Sequence, residues 1–301
     1  MKVACVQAEP VIFDRAATLE KVASLTAEAA AEGAQLVVFP ETFVSVYPSS
    51  AWAKALAGWA DPRAKASFAL LSRSAVAVPS EAADRLAAIA REHSVWVVTG
   101  VNETDPARNG TVYNALLYHA PDGSLALKHR KLVPTNHERL VWGQGNGGGL
   151  RALDTPLGRI GGLICWENYM PLARFALYES GVEIYVASTA DDSEAWQATL
   201  VHIARESRCF VVSPSHFQRA SAYPGDFPLR ELIDGRDVIG RGGSAILAPD
   251  GSYLAGPLYD EEGILYAELD PEQLYEERQR FDAAGHYHRP DVLHLNVTPH
   301  D

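Results

Sequence analysis

The chain is predicted to adopt an α/β fold of two sheets with internal pseudo-symmetry. Two observations predict it. Short apolar runs alternate with segments of helical periodicity from the first residues onward, which is the signature of β-α-β units and parallel pairing. The scheme then runs twice, and each half finishes in a hairpin signal, Pro121-Asp122-Gly123 in the first and Pro249-Asp250-Gly251 in the second.

In order, Val3 to Ala8 reads as a strand, and Asp14 caps a helix through Glu32. In that helix Leu19, Val22, Leu25, Ala29 and Ala30 fall at helical spacing, with Gly33 as the stop. Gln35 to Phe39 is a strand, apolar from Leu36 onward, that ends at Pro40-Glu41. Two helices are expected at Ala51–Trp59 and Pro62–Ser74, and a third is capped by Ser80 and runs through Glu92. Strands follow at Val95–Gly100, Val112–His119 and Ser124–Arg130. Lys131–Gly149 has no periodicity and reads as a long loop, with five glycines in its last seven residues.

In the second half, Arg159–Ile164 is a strand, Pro171–Ser180 a helix stopped by Gly181, and Val182–Ala187 a strand. The helix Ser193–Ser207 precedes the strand Cys209–Ser213, and Phe217–Gly243 is irregular. Ser244–Ala248 and Ser252–Ala255 flank the second turn, Gly263–Leu269 is the last strand and Glu272–Arg280 the last helix. No linker, low-complexity tract or charge block divides the chain. Residues 1–280 therefore read as one domain, and 281–301, with four His and two Pro from Gly285 onward, as a C-terminal arm at a subunit interface.

The bulk numbers exclude several classes. With 38 acidic against 26 basic residues, the net charge of −12 argues against a nucleic-acid or anionic-membrane surface. No apolar stretch approaches the roughly 18 to 20 residues of a membrane span. The amino terminus reads as a first strand and not as a signal peptide. Three cysteines, Cys5, Cys165 and Cys209, cannot all pair, which suits thiols in a reducing cytoplasm.

Ionisable residues stand just past three apolar strands: Glu41, Lys131 and Cys165. Chemistry in open α/β sheets collects at the carboxyl ends of strands. A thiol, a carboxylate and an ammonium gathered there make a nucleophile, a base and a cation for developing negative charge. Cys165 also precedes a helix start, where backbone N–H groups can stabilise a thiolate. Each residue has a plainer alternative: Cys165 as a packing residue, Glu41 as a capping or solvent-facing carboxylate, and Lys131 as part of a solvated run, Lys128-His129-Arg130-Lys131. A couple of Cys165 with His137 or His202 is a rival nucleophile arrangement. No His/Cys spacing matches a zinc site.

Blocks spread nearly end to end decide among these. They are Val3-Ala4-Cys5-Val6-Gln7-Ala8, Phe39-Pro40-Glu41-Thr42-Phe43, Tyr47-Pro48, Tyr113-Asn114 and His129 to Thr135, then His137 to Gly143 and Cys165 to Arg174. The chain resembles the nitrilase branch of the carbon–nitrogen hydrolase superfamily, and its Cys-Trp-Glu-Asn-x-Met-Pro-Leu stretch is similar to nitrilases rather than to amidases.

The resemblance implies a four-layer α-β-β-α sandwich with two mainly six-stranded sheets, assembled as a homodimer or a larger homo-oligomer. It implies a cofactor-free hydrolysis of a small nitrile to a carboxylic acid and ammonia, with Glu41 as general base, Lys131 as stabiliser of the tetrahedral intermediate and Cys165 as nucleophile. Glu138 matches a fourth polar residue that orders the others, and the Trp166 N–H joins Lys131 in holding the developing charge. Trp166, Tyr47, Asn114 and Trp142 are the candidate pocket wall. An amidase or a cyanide-consuming enzyme would use the same residues. A catalytically silent scaffold is the reading from another class. Departures from the family pattern are Asn146 in place of Asp, Ser188 in place of Pro, and a chain that ends soon after His288-Arg289-Pro290, against long filaments.

Overall fold

The computed structural model describes residues 1–108 and 110–299. The first half holds β1 (Lys2–Gln7), α1 (Arg15–Ala31), β2 (Leu36–Val38), α2 (Ser50–Ala53), α3 (Pro62–Ser74), β3 (Val76–Ala77), α4 (Glu81–His93), β4 (Trp96–Thr104), β5 (Val112–His119) and β6 (Leu125–Arg130). The second holds β7 (Leu153–Thr155), β8 (Gly158–Gly162), α5 (Pro171–Glu179), β9 (Ile184–Val186), α6 (Glu194–Ser207), β10 (Phe210–Ser213) and β11 (Phe217–Arg219). It ends with β12 (Val238–Leu247), β13 (Tyr253–Tyr259), β14 (Gly263–Glu268) and α7 (Glu272–Arg278).

Helix starts follow side-chain chemistry. The carboxylates of Asp14 and Asp61 and the hydroxyls of Ser80 and Ser193 accept N–H groups of the first turns of α1, α3, α4 and α6. The expected helix Ala51–Trp59 is shorter: α2 tightens into a 3-10 turn that ends at Gly58, leaving Trp59 almost fully exposed.

The strands form two seven-stranded sheets. One has the order β14-β1-β2-β4-β5-β6 with β3 beside β4, and the other β11-β12-β10-β9-β8-β7 with β13 beside β12. Each is thus a path of six strands with a seventh alongside. The parallel centres correspond, β1-β2-β4 in one sheet and β8-β9-β10 in the other, which is the expected pseudo-symmetry. The exchange is not complete, because β14 from the second half pairs antiparallel with β1 and belongs to the first sheet.

Strand alternation builds the layers, since successive side chains point to opposite faces. In β1, Val3 and Cys5 join the core between the two sheets, with Leu36, Val38 and Val98 opposite Ile160, Ile184, Val186 and Phe210. Ala4 and Val6 face outward onto Leu19 and Val22 of α1 and Leu86 and Ile89 of α4. The second sheet covers its outer face with Ala173 and Leu177 of α5 and Trp196, Leu200 and Ile203 of α6. Four layers, α-β-β-α, result.

The segment read as irregular, Phe217–Gly243, contains β11 and the start of β12. The C-terminal tail touches its own chain: Ala283 and Ala284 pack against the α5–α6 cluster, and the His288 ring meets Phe175 edge-on at 5.1 Å. Val292 and Leu293 of the tail are exposed, and His300 and Asp301 of the expected arm lie outside the described residues. Among the described residues no helix is long and apolar enough to cross a membrane.

Candidate active site

Glu41, Lys131 and Cys165 all stand beyond carboxyl ends of strands, and both sheets contribute. Glu41 follows β2 on a turn in which Thr42 has a φ of 43°. The turn lies directly on β4 at Gly100, where a Cβ would come within 2.1 Å of the Pro40 carbonyl oxygen. Only glycine lets the two backbones approach so closely. Lys131 follows β6, and its N–H donates to the Asn114 carbonyl at 2.8 Å. Cys165 opens a 3-10 turn just past β8, with a φ of 52° that lifts it out of the strand direction. Glu138 sits in a second 3-10 turn, Asn136–Leu140, where its carboxylate accepts the Thr135 N–H at 2.6 Å.

These side chains meet in a buried polar knot. The Lys131 ammonium donates to Glu41 Oε1 at 2.9 Å and to Glu138 Oε2 at 2.8 Å, with no solvent exposure of the lysine side chain. Asn114 Nδ2 donates to the same Glu41 Oε1 at 2.6 Å, and the Tyr47 hydroxyl donates to Glu138 Oε1 at 2.8 Å. Glu41 Oε2 has no hydrogen-bond partner among the described residues. The Glu41 carbonyl accepts from His216 Nε2, and the Phe39 carbonyl from the Ser188 hydroxyl at 3.0 Å, so the Glu41 turn is held from the opposite sheet. The Thr189 hydroxyl donates to Cys165 Sγ at 3.1 Å.

Two carboxylates buried away from solvent share one ammonium, and this environment sets where Glu41 titrates. Burial pushes the Glu41 carboxyl up to about 7, against the pull of Lys131 and with a further push from Glu138. Lys131 is held above its ordinary range, because the two carboxylates outweigh its desolvation. Burial, reinforced by the Glu41 carboxylate, also drives the Cys165 thiol well up, although Lys131 and the Thr189 hydrogen bond oppose it. Among the described residues no backbone N–H hydrogen-bonds this sulfur, and burial with the neighbouring carboxylates favours its protonated form.

Cys165, Glu138 and Tyr47 line a cavity of about 420 Å3, together with Thr135, His137, Trp166, Lys54, Asp191 and Asp192. That is room for a small organic molecule. Trp166 stands half-exposed at the wall, its indole N–H donating to Asp191 at 2.7 Å. Its backbone N–H makes no hydrogen bond among the described residues, whereas those of Cys165 and Glu167 are used by Ser188 and Ile164 carbonyls. Asn114 belongs to the knot behind the cavity. Trp142, expected in the pocket wall, is buried behind Tyr47 with its ring centroid 5.9 Å away and its indole N–H on Asn102 Oδ1 at 2.8 Å. Its ring lies 5.7 Å from the Lys131 ammonium, so it supports the lysine instead of lining the cavity.

Neither rival histidine hydrogen-bonds the thiol among the described residues. His137 lines the cavity with its ring edge-on to Tyr47, and His202 is a mostly exposed residue of α6 beside Glu206. Sequence reasoning missed Thr189 and His216 and marked Ser188 only as a departure, although Ser188 and Thr189 obey the same rule, as polar residues just past the apolar strand β9. Two of the departures, Ser188 and Asn146, have local uses. Ser188 makes the bond to Phe39 described above, and the Asn146 side chain accepts the Gly148 N–H at 3.2 Å at the head of the glycine-rich turn.

Comparison with known proteins decides the family, since the carbon–nitrogen hydrolase family profile matches residues 2–279. The chain belongs to the carbon–nitrogen hydrolase family. A bifunctional nitrilase/nitrile hydratase of Nicotiana tabacum is 44% identical over 299 residues, covering 98% of this chain and 85% of the relative. An aliphatic nitrilase of Sinorhizobium fredii (strain HH103) is 45% identical over 296 residues, covering 98% of this chain and 95% of the relative. Among solved structures, a carbon–nitrogen hydrolase from Helicobacter pylori G27 superposes with a TM-score of 0.75 at 20% identity, covering 97% of this chain and 96% of that one. This carbon–nitrogen hydrolase is thus an enzyme of the family's four-layer fold.

Its buried knot carries a stability prediction. Lys131→Met leaves Glu41 and Glu138 facing each other without their cation, and breaking a buried pair in this way costs about 3 to 5 kcal/mol. Urea unfolding should show a loss of that size, whereas a surface control such as Lys65→Met should stay within about 0.5 kcal/mol.

Proposed function

We propose that the enzyme is a nitrilase, converting an organic nitrile and two waters to a carboxylic acid and ammonia. The observation that carries this reading is the buried Glu41–Lys131–Glu138 knot adjoining the Cys165 thiol in the cavity wall. A nitrile carbon is a weak electrophile and needs a thiolate made at the moment of attack, with no cofactor required. Glu41, whose carboxyl sits near neutrality and whose Oε2 is uncommitted, takes the Cys165 proton. The sulfur bonds to the nitrile carbon, and the nitrogen takes up a proton to give a thioimidate. A water deprotonated by Glu41 and oriented by Glu138 adds to that carbon. Lys131 and the Trp166 N–H hold the charge that develops on the tetrahedral intermediate. Ammonia departs with the returned proton and leaves a thioester, which a second water cleaves to the acid and the free thiol.

Support for the substrate class comes from the names of both relatives, each of which carries nitrilase. The cavity volume suits a small nitrile; Tyr47 and Trp166 supply its aromatic surface. Supplying purified enzyme with nitrile, amide and cyanide in parallel, and measuring ammonia, tests this. Nitrile is expected to give the highest kcat/KM, and ammonia from the amide alone would make the enzyme an amidase.

The reading includes a catalytic unit over residues 1–280 working as a homodimer or larger homo-oligomer in the cytoplasm, without nucleic-acid or membrane partners. Three unpaired cysteines suit a reducing compartment. Exposed Tyr169 just before α5 and Leu172 in its first turn, with Val292 and Leu293 in the C-terminal arm, supply apolar surface for subunit contact.

A further inference from the structure

We infer that Glu167, together with His129, is a positioning residue for this reaction, setting the separation between the cation Lys131 and the nucleophile Cys165. The inference rests on the reading of Cys165 as nucleophile and adds two residues to its machinery. Glu167 lies two residues after Cys165 and His129 two residues before Lys131, and both side chains are shut off from solvent. Glu167 Oε1 accepts the Leu132 N–H at 2.8 Å, so it holds the residue next to Lys131. Glu167 Oε2 accepts the Ile164 N–H at 2.9 Å, so it holds the residue next to Cys165. The same Oε2 lies 2.9 Å from His129 Nε2. One carboxylate thus binds the backbone beside both chemical groups, which come from different sheets.

The clamp is braced from behind. At Gly149 a Cβ would stand 2.6 Å from His129 Nδ1, so the glycine-rich turn packs directly on the imidazole and stops it from swinging away from Glu167. Burial alone would raise the Glu167 carboxyl, but His129 and the two N–H groups outweigh it and keep it below the ordinary carboxylate range. A carboxylate accepting several donors in a dry site is rigid, and rigidity is what relative placement needs. On the far side of the turn, Asn168 Nδ2 donates to the Cys165 carbonyl at 2.9 Å, so the positive-φ turn is gripped at both ends. A nucleophile and a charge stabiliser displaced by about 1 Å lose on the order of 10²-fold in rate.

Glu167→Gln keeps the volume and removes one acceptor from the clamp. With a nitrile as substrate, kcat is expected to fall about 10²-fold while KM stays within about threefold and urea unfolding remains one cooperative transition. Glu167→Asp, which keeps both carboxylate oxygens, is expected to regain at least about tenfold of that loss. A purely structural residue would change the unfolding midpoint without this kcat-only loss or its rescue. A folded Glu167→Gln enzyme with kcat within about threefold of wild type overturns the inference, as does a loss confined to KM. Should Glu167→Gln fail to fold, His129→Gln decides: a kcat loss of about tenfold in folded protein supports the clamp, and an unchanged kcat overturns it. Cys165→Ala run alongside separates the two readings. If it is inactive while Glu167→Gln is unimpaired, the clamp alone fails; if it still turns over, the nucleophile assignment fails and takes the clamp with it.

Discussion

Cys165→Ala is expected to lower nitrile turnover by at least about 10⁴-fold, equivalent to about 5.5 kcal/mol of transition-state stabilisation. The size follows from the role, because without the sulfur no covalent intermediate forms and water must attack the nitrile directly. The protein should still fold, since the change removes one sulfur from a site whose polar knot of Glu41, Lys131 and Glu138 is untouched. Cys5→Ala and Cys209→Ala are the controls. Both thiols are buried, Cys5 in the core between the sheets and Cys209 against the Val182 carbonyl at 2.9 Å. Their loss should cost about 1 kcal/mol of stability and leave kcat within about twofold. Ammonia release by purified variants, set beside urea unfolding, checks all three.

Glu41→Gln is expected to cost about 10² to 10⁴ in kcat, the range for a positioned general base. The amide keeps the size of the side chain but cannot take the thiol proton, and that proton is firmly held because burial and the neighbouring carboxylates raise the thiol. The pH profile supplies the sign. Glu41 must be ionised to act, and its carboxyl is pushed up to about 7. Wild-type kcat/KM should therefore fall as pH drops through about 7, and that acid limb should be missing from the residual activity of Glu41→Gln. The raised value also bears on stability. Between the ordinary carboxylate value and about 7 the folded state binds the proton more tightly than the unfolded chain, so the contribution of Glu41 to stability decreases as pH rises through that window. The base is thus kept at the expense of some stability, as is common where function needs a buried charge.

Much of the fold could be read from side-chain chemistry that acts locally. α3 has its expected bounds, with Asp61 capping it and Pro62 suiting its first turn, and both hairpins follow from Pro-Asp-Gly. What could not be read was set by distant partners. β3 is two residues long and exists because β4 runs beside it. The start of β12 carries glycines and polar residues that hide a strand pattern, yet it pairs with β11 and β13. The return of β14 to β1 joins residues more than 250 positions apart, as Lys2 opposite Glu268 shows.

The candidate site divides in the same way. Glu41, Lys131 and Cys165 were legible because each is an ionisable residue just past the end of a strand. Trp142 was misplaced because an aromatic residue in a loop reads equally well as wall or core, and its buried partner Asn102 comes from β4. Glu167 stood in plain view beside Cys165, but its meaning lies in bonds to His129 and Leu132, more than thirty residues away along the chain.

The central claim is that Cys165 bonds covalently to the nitrile carbon during turnover. Acid quenching within the first turnovers, followed by intact-mass measurement and peptide mapping, tests it most directly. The account predicts a mass increment corresponding to the thioimidate or the thioester, carried by the peptide that contains Cys165. Ammonia release at the full rate with no increment, or with the increment on a peptide other than that of Cys165, would contradict it.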